Sequence, residues 1–196
     1  MTDHPVAPYK VWPWYIALIG IVALDQLTKY LVRANLNLHD SIPLIGEDLL
    51  RLTHVQNPGI IFGHTFITLP LLLVFGWTAS LVLAVYLYRL VRHHEPLRWP
   101  VFLFLAGAIG NSIDRTIFGK VTDFIDADFP DFIMERWAVF NIADSCVTVG
   151  IILMILITLL EHGRHSKTAA PAHEQLPDTT SPLSTQNSSG SASDPD

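Results

Sequence analysis

Apolar residues along this chain occur in four long runs that are separated by polar segments. The runs cover residues 11–32, 66–88, 98–113 and 138–160, and the third is the shortest. A helix that crosses about 30 Å of hydrocarbon needs roughly 20 predominantly apolar residues. The pattern therefore predicts an all-α membrane protein with four transmembrane helices.

Two of the polar segments contain short strand candidates. Leu49–Val55 lies between the first and second runs, and Val121–Ile125 lies between the third and fourth. Turn residues at Gly46 and Pro58–Gly59 flank the first candidate. We therefore expect a small extracytoplasmic β element that rests on the helices.

Basic residues predict the orientation of the helices. They lie on the link between runs two and three and beside the two outermost runs: Arg89, Arg92, Arg98, Lys10, Arg164 and Lys167. The positive-inside rule then places both termini in the cytoplasm. From Lys167 onward, Ser, Thr, Pro and Asp predominate, so residues 167–196 are expected to form a disordered cytoplasmic tail after a membrane domain of residues 1–166.

Composition removes several classes of function. Half of the residues are hydrophobic and 15% are charged, which together with the long apolar runs excludes an ordinary soluble domain. No basic patch indicates nucleic-acid binding. Cys146 is the only cysteine, so an internal disulfide and a cysteine-based zinc site are excluded. The nine histidines lack metal-ligand spacing, and neither HExxH nor GxSxG occurs, so no metal or organic cofactor is expected.

Charged and amide side chains cluster at the predicted outer ends of the helices. Three pairs have the i,i+3 or i,i+4 spacing that puts two side chains on one helical face: Asp25 with Lys29, Asn111 with Asp114, and Asn141 with Asp144. Further polar or turn residues lie at the same level or in the outer loops: Asn57, Gly59, Arg115 and Asp123. Ionisable groups at membrane depth are costly, so this cluster indicates a functional site.

The carboxylates in this cluster predict a reaction. Two carboxyl groups that share a site cannot both ionise cheaply, so one keeps a proton while the other takes one from water. That division of roles is the chemistry of an aspartic protease. The residues alone leave Asp114 and Asp123 nearly equal as the partner of Asp144.

Two other classes of function compete with a protease. Intramembrane Asp, Lys and Asn side chains also occur in transporters and proton-coupled channels. A proton relay needs polar groups through the whole bilayer, whereas here they crowd at one end and the second run carries no charge. A non-catalytic membrane scaffold would not need two carboxylates side by side. The protease is therefore the favoured hypothesis.

Five motifs in this chain resemble those of a known family. They are DQLTK at 25–29, QNPGIIF at 56–62, GAIGNSIDR at 107–115, VTDFI at 121–125 and FNIADS at 140–145. Their types and order resemble the lipoprotein signal peptidases (signal peptidase II), a family of bacterial membrane aspartyl proteases. The chain departs from the usual family pattern at Ile60–Ile61, where small residues are common, and at Ala106, where glycine is frequent.

The resemblance implies a site and a substrate. It assigns catalysis to Asp123 and Asp144 and makes Asp114 structural. Supporting roles fall to Asp25, Lys29, Asn57, Gly59, Asn111, Arg115 and Asn141. It further implies cleavage of diacylglyceryl-modified prolipoproteins on the amino side of the lipidated cysteine, at the outer face of the bacterial inner membrane. Membrane lipid and the inhibitor globomycin are expected ligands, and we expect a monomer without metal or cofactor.

Overall fold

The computed structural model describes residues 10–59, 68–128 and 138–168. Within these residues the chain forms four α-helices and one three-stranded sheet. The elements are α1 (Trp12–Asn35), β1 (Ser41–Ile45), β2 (Leu50–Asn57), α2 (Leu69–Arg92), α3 (Arg98–Phe118), β3 (Val121–Ala127) and α4 (Ile142–Thr168). Each helix is long and apolar enough to cross a membrane, as the hydrophobic pattern predicted.

The helix ends differ from the predicted span ends. Helix α3 continues past residue 113 to Phe118, because polar side chains in its last turns lower the hydropathy without ending the helix. Gly119 ends it in a left-handed conformation with φ of 70°, and its N–H donates to the Arg115 carbonyl at 3.0 Å. Helix α4 begins at Ile142 rather than at 138. The predicted start of the second span at 66 lies outside the described residues.

Helix α3 occupies the centre of the bundle and packs against α1, α2 and α4. Glycines allow the closest approach: a Cβ on Gly107 would lie 2.6 Å from the Ala143 carbonyl oxygen. The core is built from Leu18, Leu87, Leu90, Val91, Val101, Phe102, Leu105, Ala106 and Cys146. Cys146, the only cysteine of the sequence, is a free and buried thiol in this core. Large apolar side chains also cover the outside of the bundle, with Phe75 74% exposed, which suits contact with lipid.

The sheet is antiparallel in the order β1-β2-β3. The two predicted strands are confirmed: β2 contains the first except for Leu49, and β3 contains the second. Val55 of β2 pairs with Asp123 of β3. Strand β1 was not predicted: all five of its residues are exposed, and it contains Pro43, which is tolerated only because β1 is an edge strand. Phe140 then bridges Ile125 through two backbone hydrogen bonds of 2.7 and 3.0 Å, which brings the start of α4 beside β3.

The end of α4 overlaps the start of the predicted tail. Helix α4 continues to Thr168, so residues 167 and 168 are helical and not part of a disordered segment. The expected disorder of the remaining tail falls on residues 169–196, which lie outside the described residues.

Candidate active site

A buried polar cluster lies where α1 and α3 end and α4 begins. Its side chains come from three helices and from strand β3, although they are far apart in the sequence. Five of its members are at most 3% exposed: Asp25, Lys29, Asp114, Asp123 and Asn141. Burial of so many polar groups is tolerated only when they satisfy one another.

The first turn of α4 orients Asp144. Asn141 precedes the helix, and its Oδ1 accepts the Asp144 N–H at 2.9 Å. In return, Asp144 Oδ2 accepts the Asn141 N–H at 3.1 Å. This reciprocal pair is a capping box, which fixes the Asp144 side chain against the positive end of the helix. Asp144 therefore serves as a helix-capping group and also faces the polar cluster.

Asn141 also connects Asp144 to strand β3. Its Nδ2 donates to Asp123 Oδ1 at 2.7 Å. Burial, and next the charge of Asp144, raises the pKa of Asp123 from 3.8 to about 7. Hydrogen bonds from Asn141 and Asn57 and the charge of Lys29 oppose this rise. Near neutral pH, Asp123 is therefore poised between its protonated and ionised forms.

A chain of contacts fixes Asp144 from the opposite side. Asn111 Nδ2 donates to Asp144 Oδ1 at 2.8 Å, and Asn111 Oδ1 accepts Lys29 Nζ at 3.0 Å. Lys29 Nζ also lies 2.9 Å from Asp25 Oδ2, which confirms the predicted i,i+4 pair. Asp25 Oδ1 in turn accepts the Ala143 N–H at 2.9 Å, so α1 binds the first turn of α4 directly.

Asp114 has a different set of partners. Its Oδ2 accepts the Thr122 N–H at 2.8 Å and lies 3.8 Å from Lys29 Nζ and 3.6 Å from Arg33 Nη1. These contacts bind α3 to the start of β3. Asp123, by contrast, shares Asn141 with Asp144. The geometry therefore separates two carboxylates that the residues alone left nearly equal.

Asn57 and Gly59 form a turn at the edge of the cluster. Asn57 Oδ1 accepts the Gly59 N–H at 2.9 Å, and Gly59 has φ of 92°, which favours glycine. A Cβ at Gly59 would lie 2.6 Å from the Leu72 side chain. Because the Asn57 side chain also opposes the rise of the Asp123 pKa, this segment is both a turn and part of the candidate site. The departure at residues 60 and 61 lies outside the described residues.

Arg115 lines an apolar groove between α2, α3 and α4. The groove has a volume of about 400 Å³, and its polar lining includes Asn111, Ser112 and Arg115. Its apolar lining comes from Leu72, Phe75, Ala79, Phe104, Ala108 and Val147. The Arg115 guanidinium interacts electrostatically with the carboxylates of Asp144 and Asp123. Its Nε has no hydrogen-bond partner among the described residues.

A sequence model of the family described as Signal peptidase (SPase) II matches residues 17–160. The chain belongs to the signal peptidase II family. It is 35% identical over 161 residues to a lipoprotein signal peptidase of Moorella thermoacetica, an alignment covering 79% of this chain and 98% of that protein. It is 39% identical over 149 residues to one of Chlorobium phaeobacteroides, covering 73% and 88%.

Two solved structures have the same fold. Both are described as bacterial membrane enzymes determined by the in meso method. The first has a TM-score of 0.69 and 26% identity, over 89% of this chain and all of that one. The second has a TM-score of 0.63 and 28% identity, over 80% and 98%. The chain is therefore a multi-pass membrane peptidase.

Three residues of the buried polar cluster in this signal peptidase II family member were not predicted from the sequence: Gln26, Arg33 and Thr122. Gln26 Nε2 donates at 3.0 Å both to Asp25 Oδ2 and to the Gly110 carbonyl. Arg33 and Thr122 hydrogen-bond each other at 2.8 Å. The signal for Arg33 was available, because it continues the i,i+4 series of Asp25 and Lys29 by one further step.

Metal binding has no support in the part of the chain that the structure describes. No three His, Cys, Asp or Glu side chains lie close enough together there to hold a metal ion. The absence of any metal or organic cofactor in this peptidase stays a prediction.

Proposed function

We propose that the chain is an aspartic endopeptidase in which Asp123 and Asp144 form the catalytic pair. Its substrate is a diacylglyceryl-modified prolipoprotein, which it cleaves on the amino side of the lipidated cysteine. One observation carries the catalytic assignment: Asn141 binds both carboxyl groups, through its side chain to Asp123 and through its N–H to Asp144. The similarity to lipoprotein signal peptidases supports the substrate class.

The two carboxyl groups have different surroundings, which supports different roles. Asp144 accepts hydrogen bonds on both oxygens, from Asn111 Nδ2 and from the Asn141 N–H. Asp123 is 3% exposed and has a pKa of about 7, so it holds the proton below that pH. We therefore assign the role of base to Asp144 and the role of acid to Asp123.

The reaction follows from these two states. Asp144 takes a proton from a water molecule, whose oxygen attacks the scissile carbonyl carbon. The protonated Asp123 donates a hydrogen bond to the carbonyl oxygen and passes its proton to it as the tetrahedral intermediate forms. When the C–N bond breaks, the proton now on Asp144 moves to the leaving amine and the proton on the intermediate's oxygen returns to Asp123. Both carboxyl groups then regain their starting states.

The groove beside Arg115 suits a lipid-anchored substrate. Its apolar wall faces the membrane between α2, α3 and α4, while Asn111 and Arg115 place polar groups next to the proposed pair. Acyl chains and apolar signal-peptide side chains occupy the wall, and the peptide bond lies at the polar edge. Because the substrate is held in the bilayer, its reacting bond stays at the depth of the carboxylates.

The same proposal includes the setting of the enzyme. The protease domain covers residues 1–166 of a monomer in the bacterial plasma membrane, with both termini cytoplasmic. Arg92 and Arg98 lie at the helix ends opposite Asp123, so the positive-inside rule supports a site at the extracytoplasmic face. Membrane lipid surrounds the helices, and globomycin, as an inhibitor of the family, binds across the two carboxyl groups.

A gel-shift cleavage assay tests the proposal. Purified full-length protein in detergent or lipid is given a diacylglyceryl-modified prolipoprotein, and release of the signal peptide is followed over time. We expect Asp123→Asn and Asp144→Asn each to lose at least about 10³-fold in rate while remaining folded. Asp114→Asn, a buried carboxylate in the same cluster, is the matched control and keeps partial activity.

The outcomes separate the parts of the proposal. If Asp114→Asn were inactive and Asp123→Asn cleaved normally, the partner of Asp144 would be wrong while the peptidase assignment stood. If the wild-type protein released no signal peptide from this substrate, the proposed substrate class would fail.

A further inference from the structure

Arg33 lies near the end of α1, and its guanidinium reaches the start of β3. Its Nη1 donates to Thr122 Oγ1 at 2.8 Å and lies 3.6 Å from Asp114 Oδ2. The guanidinium carbon is 4.3 Å from the centroid of the Phe118 ring, which covers one face of the cation. Only 18% of the Arg33 side chain is exposed. The side chain is therefore held by three partners on two different elements.

Thr122 is bound through its main chain and its side chain. Its N–H donates to Asp114 Oδ2 at 2.8 Å, and its hydroxyl oxygen accepts the bond from Arg33. Thr122 is 2% exposed and directly precedes Asp123 in β3. Successive side chains of a strand point to opposite faces. Fixing both the peptide and the side chain of Thr122 therefore sets the direction in which Asp123 leaves the strand.

Arg33 also completes the charge balance of the buried cluster. Lys29 Nζ lies 2.9 Å from Asp25 but 3.8 Å from Asp114, so its charge is committed mainly to Asp25. Arg33 is the second cation beside Asp114. A buried carboxylate without a close cation is strongly disfavoured, so loss of Arg33 would weaken the Asp114 contact with the Thr122 N–H as well.

We propose that Arg33 is a positioning residue for Asp123. It acts through Thr122 and keeps Asp123 Oδ1 at the 2.7 Å distance from Asn141 Nδ2 that joins the two carboxyl groups. The inference rests on the proposed function, because it requires Asp123 to act in the reaction. Arg33 lies outside the five motifs that resemble the signal peptidase II family.

A double-mutant cycle on cleavage kinetics tests the inference. Full-length Arg33→Gln, Thr122→Val and the double variant are assayed with the diacylglyceryl-modified prolipoprotein, and kcat and KM are measured separately. We expect each single variant to lower kcat about tenfold and to leave KM within about twofold of wild type. This loss of kcat is smaller than the roughly hundredfold loss that a 1 Å misplacement of a reacting group causes. The double variant should lose no more than the larger single loss, because both substitutions break the same contact.

Conservative and matched variants complete the design. Thr122→Ser keeps the hydroxyl that accepts the hydrogen bond and should restore most of the kcat that Thr122→Val loses. Arg33→Lys keeps the positive charge but not the planar guanidinium, and should restore part of the kcat that Arg33→Gln loses. Arg51→Gln is the matched control: Arg51 also pairs with a β3 carboxylate, Asp126, at 3.4 Å, but farther along the strand. Its kcat should stay within about twofold of wild type.

Three results would overturn the inference. One is an unchanged kcat in Arg33→Gln and Thr122→Val with only a lower melting temperature. Another is additive losses in the double variant, since Arg33 would then not act through Thr122. The third is an equal loss in Arg51→Gln. Failure of the proposed function is separate: it shows as normal cleavage by Asp123→Asn, whatever the Arg33 variants do.

Discussion

Replacing Asp123 by asparagine should stabilise the protein in a pH-dependent way while abolishing cleavage. The pKa of Asp123 is raised from 3.8 to about 7, first by burial and then by the charge of Asp144. Between these two values the folded protein keeps a proton that the unfolded chain releases. The contribution of Asp123 to the free energy of unfolding therefore falls as the pH rises from about 4 to about 7 and levels off above that.

The size of the effect follows from the difference of about three pH units between the two pKa values. At about 1.36 kcal/mol per unit, the ionised carboxylate costs the folded state about 4 kcal/mol above pH 7. Asparagine has nearly the same shape and no charge, and its side-chain oxygen can still accept the 2.7 Å bond from Asn141. The Asp123→Asn variant should thus have the same free energy of unfolding as wild type at pH 4 and a larger one at pH 8. For a chain of this size, each kcal/mol gained raises the melting temperature by about 2–4 °C.

Thermal unfolding of detergent-purified protein between pH 4 and 8, followed by tryptophan fluorescence, checks this expectation. Glu47→Gln is the control, because Glu47 is an exposed carboxylate on the turn between β1 and β2 and its loss should not change the pH dependence. An equal stability difference between Asp123→Asn and wild type at pH 5 and pH 8 would contradict the raised pKa of Asp123. A variant that is less stable than wild type at pH 8 would contradict it as well.

Three further outcomes follow from the same geometry. The value of kcat/KM should decline above about pH 7, where Asp123 loses the proton that it donates in the proposed mechanism, and a profile flat to pH 9 would contradict this. Asn111→Ala should lower kcat roughly a hundredfold, because Asp144 Oδ1 loses the 2.8 Å hydrogen bond from Asn111 Nδ2. Steady-state kinetics would measure this loss of kcat. Gly110→Ala should cost about 1–3 kcal/mol in thermal unfolding, since its Cβ would lie 2.7 Å from a buried carboxylate oxygen. Gly20→Ala, with nothing within 4 Å of the new Cβ, should cost nothing.

Hydrophobic runs located the four helices because lipid requires long apolar segments, but they misplaced the ends. Hydropathy falls at Asn111 and Asp114, yet α3 continues to Phe118 because these side chains face buried partners and the backbone stays hydrogen-bonded. At the start of α4, Phe140 is apolar but pairs with Ile125 at the edge of the sheet, so the fourth apolar run begins before the helix does. Composition measures polarity, whereas helix ends depend on capping.

Local spacing predicted the contacts within one helix and failed for those between elements. The Asp25–Lys29 pair followed from i,i+4 spacing and forms at 2.9 Å. The choice between Asp114 and Asp123 as the neighbour of Asp144 depended on how β3 lies against α3, which no local pattern specifies. Only the family resemblance separated them beforehand, and the assignment of catalysis to Asp123 stays a prediction.

The contact between the Ala143 N–H and Asp25 joins the first and the last of the described helices. Ribosomal synthesis delivers α4 after every other described element, and with it come Asn141 and Asp144. A nascent chain with three helices in the bilayer holds Asp123 but has neither the second carboxyl group nor the amide that connects the two. With Asp123 and Asp144 as the proposed catalytic pair, proteolytic competence arises only when insertion is complete, and a half-assembled copy is inert toward neighbouring membrane proteins.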